Sequence, residues 1–183
     1  MAVTFEIDYT APRSRLTNFF RYFMAIPHLI CVGVLSLVAQ FVAMLQWFAI
    51  LFTGKRNRGL WNFQVGVWNW HLRATAYATN MFDTYPNLGF DPGAEPVRAN
   101  VEFEEQANRL TCALRILWAI PAIIVLMVVA VGWYVVIVLG WLAILFTGNQ
   151  PRGLFDFAAR ALRLVARTTA YTSLLTDTYP KFE

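Results

Sequence analysis

No aspartate or glutamate falls within residues 19–52 or 113–146 of this 183-residue chain. Acids inside a membrane block are the usual mark of a proton or ion path. Their absence argues against a pump or an ion-coupled carrier acting alone. Histidine and cysteine are nearly as scarce, at two residues each. Cys31 and Cys112 fall at unrelated places and suggest neither a disulfide framework nor a metal site. His28 and His71 lie far apart in sequence. No Ser/His/Asp or Cys/His grouping appears at a recognisable local spacing. No glycine-rich phosphate loop and no metal-ligand cluster is visible. Neither a catalytic residue nor a cofactor or metal is therefore expected. Total charge is low as well: 14% of residues, against about 25% in a typical soluble domain.

What fills the space is apolar. The chain is 58% hydrophobic, with a mean hydropathy of +0.48. The excess is concentrated in the two acid-free blocks, whose only charges, Arg21 and Arg115, stand near their starts. Uncharged apolar runs longer than about 18 residues read as membrane-embedded. A polar segment of some 18 residues precedes the first block. That segment, and the length of the run, exclude a secretory signal peptide on this reading.

The formal net charge is +4, and the bases are placed rather than scattered. Arg13, Arg15 and Arg21 precede the first block, and Lys55, Arg56 and Arg58 follow it. Arg109 and Arg115 precede the second; Arg152, Arg160, Arg163 and Arg167 follow it. Bases that flank apolar runs suit anionic lipid headgroups better than nucleic acid. Membrane lipids and other membrane-protein subunits are the expected partners, and no nucleic acid.

Sliding the sequence along itself gives one dominant offset, 94 residues. Over residues 15–86 and 109–180 there are 30 identities in 72 positions, without a gap. The chain is a tandem duplication. Repeat one is expected over residues 1–86, a Pro/Gly-rich linker over 87–96 and repeat two over 97–183. Each repeat opens on an alternating stretch, residues 3–9 or 97–103, with the period of a half-buried strand. The apolar block follows. A more polar helical segment closes the repeat, ending on Asp-Thr-Tyr-Pro. In repeat two that segment carries Arg160, Arg163 and Arg167 on one face, which suits an amphipathic helix in the headgroup plane. Arg73 lies on the equivalent stripe of repeat one.

The expected fold is an all-α integral membrane protein, with a short strand ahead of each repeat. Two topologies satisfy the lengths. Each block either forms a helical hairpin, turning near residues 36–40 and 132–134, or makes one span kinked at Pro27 or Pro121. Hairpins are favoured, because bases flank both ends of both blocks and basic flanks prefer the cytoplasm. Hairpins also leave both strands on one side, where they can pair. On this reading all polar parts and both termini are cytoplasmic, in a bacterial inner membrane.

The most repeated sentence is "WFAILFTGKRNRGLWNF", echoed as "WLAILFTGNQPRGLFDF". Gly54 and Gly148 suit the residue just past a helix. Trp47 and Trp141 are expected as interface anchors. Arg58 and Arg152 are expected either to anchor the corner or to hold a lipid phosphate as forked donors. Lys55, Arg56, Arg73, Arg160, Arg163 and Arg167 join them as possible headgroup contacts.

The pattern "RLT…FFR…AIPHLI…WFAILFTG…RGLF.F…TAY…TD.YP" resembles the bacterial membrane family known as domain of unknown function 4389. Residues 15–86 and 109–180 each resemble one copy. Repeat two departs at Pro121-Ala122-Ile123, so His28 is not duplicated; repeat one departs at Lys55-Arg56-Asn57, where repeat two has Pro151. The resemblance implies a membrane location and no particular chemistry. Three functions follow in order of expectation: a non-catalytic accessory or scaffold subunit, a protein that binds or transfers anionic lipids, and a membrane enzyme.

Overall fold

The computed structural model describes residues 3–91, 93 and 96–182. Of the expected linker, residues 92, 94 and 95 lie outside the described residues. The element order is β1 (Val3–Ile7), α1 (Arg15–Thr53), α2 (Arg58–Ala78), β2 (Val97–Val101), α3 (Arg109–Ala113), α4 (Arg115–Thr147) and α5 (Arg152–Thr172). Leu114 alone separates α3 from α4, so each repeat has one long apolar helix followed by one helix of 21 residues.

The expected hairpins do not form. Residues 36–40 and 132–134 lie inside α1 and α4. Neither stretch offers the backbone a reason to turn. Gly132 serves packing instead, since a Cβ there would come 3.2 Å from Phe157 Cζ. Neither proline ends its helix: Pro27 lies within α1 and Pro121 within α4. By length and composition α1 and α4 are two helices apolar enough to cross a membrane.

The two strands nevertheless pair, antiparallel, in the register Val3↔Val101, Phe5↔Ala99 and Ile7↔Val97. Hairpins are not needed for this, because the short helix of each repeat returns beside the long one. Trp70 of α2 donates to His28 Nδ1 of α1 at 3.1 Å, and Gln46 Oε1 accepts from Asn57 N at the corner. The strand alternation is real: Val3, Phe5 and Ile7 point inward and Thr4 and Glu6 outward. Strand β1 packs on α5 and β2 on α2, so each strand serves the opposite repeat.

Helices α1 and α4 run antiparallel. Gly148, at the end of α4, faces Arg15 at the start of α1; Gly54, at the end of α1, faces Arg109. The core lies between α2, α5 and the strands, around Trp68, Leu72, Tyr77, Phe155 and Leu162. The apolar side of α5 belongs to this core, with Phe155, Leu162 and Leu164 all buried. That corrects the expectation of a helix lying in the headgroup plane. An amphipathic face already buried in protein has no apolar area left for lipid.

The long helices behave differently. Along α1 the buried positions are Asn18, Arg21, Ala25, His28, Val32, Gln46 and Ile50. Steps of three and four from Asn18 to Val32, resumed by Gln46 and Ile50 fourteen residues on, make one narrow stripe. Most of the remaining circumference is exposed and apolar, including Phe23, Ile30, Leu37 and Phe41. Helix α4 repeats this with Ile116, Met127, Val128 and Val131 exposed.

Candidate functional site

The corners that close each long helix carry the repeated sequence. At each, glycine leaves the helix in the left-handed region, at φ 72° for Gly54 and 74° for Gly148. The hydroxyl of Thr53 donates to Ala49 O at 2.6 Å and accepts from Lys55 N at 3.1 Å. Thr147 does the same with Ala143 O and Asn149 N. A Cβ at Gly54 would stand 3.0 Å from Arg109 Nε. Gly54→Ala should therefore lose about 1–2 kcal/mol from the left-handed backbone alone. A thermal melt of the purified chain reads this; an unchanged midpoint would remove the corner from the structural account.

The corners fasten one repeat to the other. Trp47 Nε1 donates to Cys112 O at 3.0 Å, and Trp141 Nε1 donates to Asn18 O at 3.0 Å. Both indole N–H groups are thus spent on the start of the opposite long helix, and both rings are half-buried. The backbone adds Arg13 N to Gly148 O and Ala107 N to Gly54 O, each at 2.9 Å.

Beneath each corner lies a buried pair of arginines near one aspartate. Arg21, fully buried, donates to Tyr77 O, Phe82 O and Asp83 Oδ1. Its guanidinium lies 4.9 Å from the Tyr77 ring centroid. Arg115 does the same in repeat two, with Tyr171 O, Thr176 O and Asp177 Oδ1. The second oxygen of each aspartate accepts from a helix N-cap: Ser14 N of α1 at 2.7 Å or Asn108 N of α3 at 2.9 Å. The aspartate of each Asp-Thr-Tyr-Pro is therefore a staple that ties the end of the repeat to the start of its long apolar segment.

The second arginine of each pair comes from a non-equivalent place. In repeat one, Arg13 donates to Met81 O. In repeat two, Arg56 reaches across from the first corner to Asp177 Oδ1 at 2.5 Å and donates to Leu174 O at 3.0 Å. The position equivalent to Arg56 holds Gln150, and that equivalent to Arg13 holds Ala107. Burial pushes both guanidiniums below their ordinary pKa, and Asp83 or Asp177 opposes that shift.

The expected headgroup contacts divide. Arg56 and Arg73 are each 3% exposed, so they are enclosed by protein and present no surface to a headgroup. Arg73 donates to Gly89 O and Asp91 O. Arg163 donates to Phe5 O at 3.2 Å and Arg167 to Lys181 O at 3.0 Å, so both hold neighbouring chain. Lys55 pairs with Glu105 at 2.8 Å on the surface. That contact raises the Lys55 pKa and lowers that of Glu105. Arg160 is exposed on α5. Arg58 and Arg152 are exposed at the corners. Their guanidiniums stack at 4.7 Å over Phe103 and 4.9 Å over Tyr9. The structure thus leaves Arg58, Arg152, Arg160 and Lys55 facing outward.

A polar cavity of about 350 Å³ is lined by Ser36, Gln40, Gln64, His71 and Thr172 among others. It holds no acid to orient the imidazole. Burial lowers the His71 pKa from its ordinary 6.5. With the folded value below the unfolded one, stability is full above about pH 6.5 and falls as pH drops through the folded value. His71→Gln should flatten the loss of melting temperature between about pH 7 and pH 5. An unaltered pH profile would show that His71 does not titrate in this way. Among the described residues, no group of three or more His, Cys, Asp or Glu side chains is placed to hold a metal ion.

A family model described as "Domain of unknown function (DUF4389)" matches residues 15–88 and, again, residues 109–183. No curated protein and no solved structure matches the chain. Each matched segment holds one long helix, its glycine corner, its returning helix and its aspartate staple. The chain belongs to the DUF4389 family and carries two tandem copies of its domain.

Proposed function

We propose that this chain is a non-catalytic integral component of a bacterial cytoplasmic membrane, acting as an accessory or scaffold subunit. One observation carries the reading: α1 and α4 expose apolar side chains along their whole length, with no charge at residues 22–54 or 116–151. A monomeric soluble protein rarely exposes a contiguous apolar patch beyond a few hundred Å². The polar chemistry supports the same reading, because the buried arginines are engaged inside the fold by backbone carbonyls, Asp83 and Asp177.

Native membranes solubilised in mild detergent should release the chain together with a stoichiometric second protein. Recovery of the chain with lipid alone would defeat the accessory reading. Lipid binding is the second reading, favoured by Arg58 and Arg152, which stack on an aromatic ring and keep an exposed guanidinium at opposite corners. Replacing both with glutamine should then deplete co-purifying anionic lipid.

A further inference from the structure

We infer that α1 and α4 lie in the plane of the membrane, embedded in the acyl chains of one leaflet, with the strands and α5 facing water. This rests on the membrane reading above and adds an orientation that neither a single span nor a hairpin supplies.

The first argument is where the charges stand along the helix axis. Arg163 donates to Phe5 O, which ties the centre of β1 to the centre of α5. On either side of that point, Phe157 meets Gly132 and Tyr171 O meets Arg115. The strands therefore stand opposite the first half of α4, between Arg115 and Gly132. On the other repeat, Asn69 and Arg73 of α2 share a groove with Glu6 and Arg98 of the strands. Their neighbour Trp70 binds His28, which is about 9 Å from the midpoint of α1 at 1.5 Å per residue. The strands again stand beside the body of the helix and away from both its ends.

Their outer face is charged. Glu6, Asp8 and Arg98 have side chains 70%, 59% and 65% exposed, and Arg160 is exposed on α5. If α1 and α4 stood upright in a bilayer, these groups would sit inside its hydrocarbon core, which is about 30 Å thick. Exposed ions at that depth are among the least tolerated of all groups. Laid flat, the same molecule keeps every one of them in water, on the side opposite the apolar faces.

The second argument is length. Helix α1 has 39 residues, or roughly 58 Å, nearly twice the roughly 30 Å of a hydrocarbon core. A flat helix has no length to match. The third is charge complementarity at the rim. Exposed Arg15 and Arg152 mark one end of the apolar face, and Lys55, Arg58 and Arg109 the other. In a flat molecule both ends meet the phosphates of one leaflet.

The two corners decide the matter, because α1 and α4 are antiparallel. Lys55 and Asn149 are both exposed and stand at opposite ends of the apolar face. Cys31→Ala with Cys112→Ala gives a background free of thiols, onto which Lys55→Cys or Asn149→Cys is placed. Each full-length variant is treated with a membrane-impermeant maleimide in spheroplasts and in inside-out vesicles. Both cysteines should react in the same preparation, and neither in the other. Reaction in opposite preparations would overturn the flat orientation. Recovery of the chain in the soluble fraction would instead overturn the membrane reading beneath it. If either substitution prevents folding, Glu105→Cys and Ala11→Cys repeat the test on the exposed flanking loops at the same two ends.

Discussion

Asp177→Asn is expected to remove about 3–5 kcal/mol of stability, the loss typical when one partner of a buried ion pair is deleted. The carboxylate faces two guanidiniums at once. Arg56 and Arg115 have side chains 0% and 5% exposed. Asparagine keeps the shape and leaves both cations uncompensated. The loss also reaches the N-cap of α3, the short helix that leads into α4, because Asp177 Oδ2 accepts from Asn108 N. A stability of this size is comparable to that of many whole domains, so the variant should be largely unfolded or degraded when expressed. Arg115→Met in the same chain should not add a full second penalty, since the two residues share one network. Circular dichroism melts of the four chains in a double-mutant cycle read the coupling. Full additivity, or a wild-type melt for Asp177→Asn, would show that the staple is dispensable. Asp83→Asn should be comparably severe, with Arg21 fully buried beside it.

Leu37→Asp combined with Val131→Asp should abolish membrane association without unfolding the chain. The two positions are 61% and 70% exposed, so neither carboxylate needs to be buried in protein. An aspartate at the centre of an inserted helix costs about 2.5–3.5 kcal/mol, and a shallower site costs less. At about 2 kcal/mol each the pair should weaken partitioning into liposomes by roughly a thousandfold. Vesicle flotation of the variant beside the parent chain measures this. Persistent flotation would mean that the exposed apolar faces meet something other than acyl chains. The same substitutions on a buried stripe, at Ala25 or Val32, would instead act through folding.

Much of the architecture was legible because duplication wrote it twice. The 94-residue offset, the alternating strands and the Thr-Gly corners all appear in the structure as the sequence implied. The topology of the long blocks was misread for a definite reason. Basic residues flank both ends of both blocks, and that pattern suggests two cytoplasmic ends joined by a far turn. In the structure several of those bases serve protein instead: Arg13 holds Met81 O in its own repeat, and Arg56 holds Asp177 of the opposite repeat. No local rule reveals that Gln150 and Arg56 have exchanged duties with Arg13 and Ala107, because the partners meet only in the fold.

The staples themselves left a signal. Arg21 and Asp83 stand 62 residues apart, and so do Arg115 and Asp177. Both members are identical between repeats that differ at most other positions. Charged identities at equal spacing in two copies are the trace of a conserved contact within each copy. The arginine stripe of α5 carried the opposite lesson. Its spacing correctly gave one polar face, but nothing in it said whether the apolar face met lipid or protein. Burial of Phe155, Leu162 and Leu164 decides for protein.

Polarised infrared dichroism of the unmodified chain on a supported bilayer measures the helix direction without any substitution. Helices α1, α2, α4 and α5 run alongside one another and dominate the amide I band. The flat orientation requires their transition moments to lie close to the membrane plane. A mean helix axis within about 30° of the bilayer normal, the ordinary tilt of a spanning helix, would contradict it.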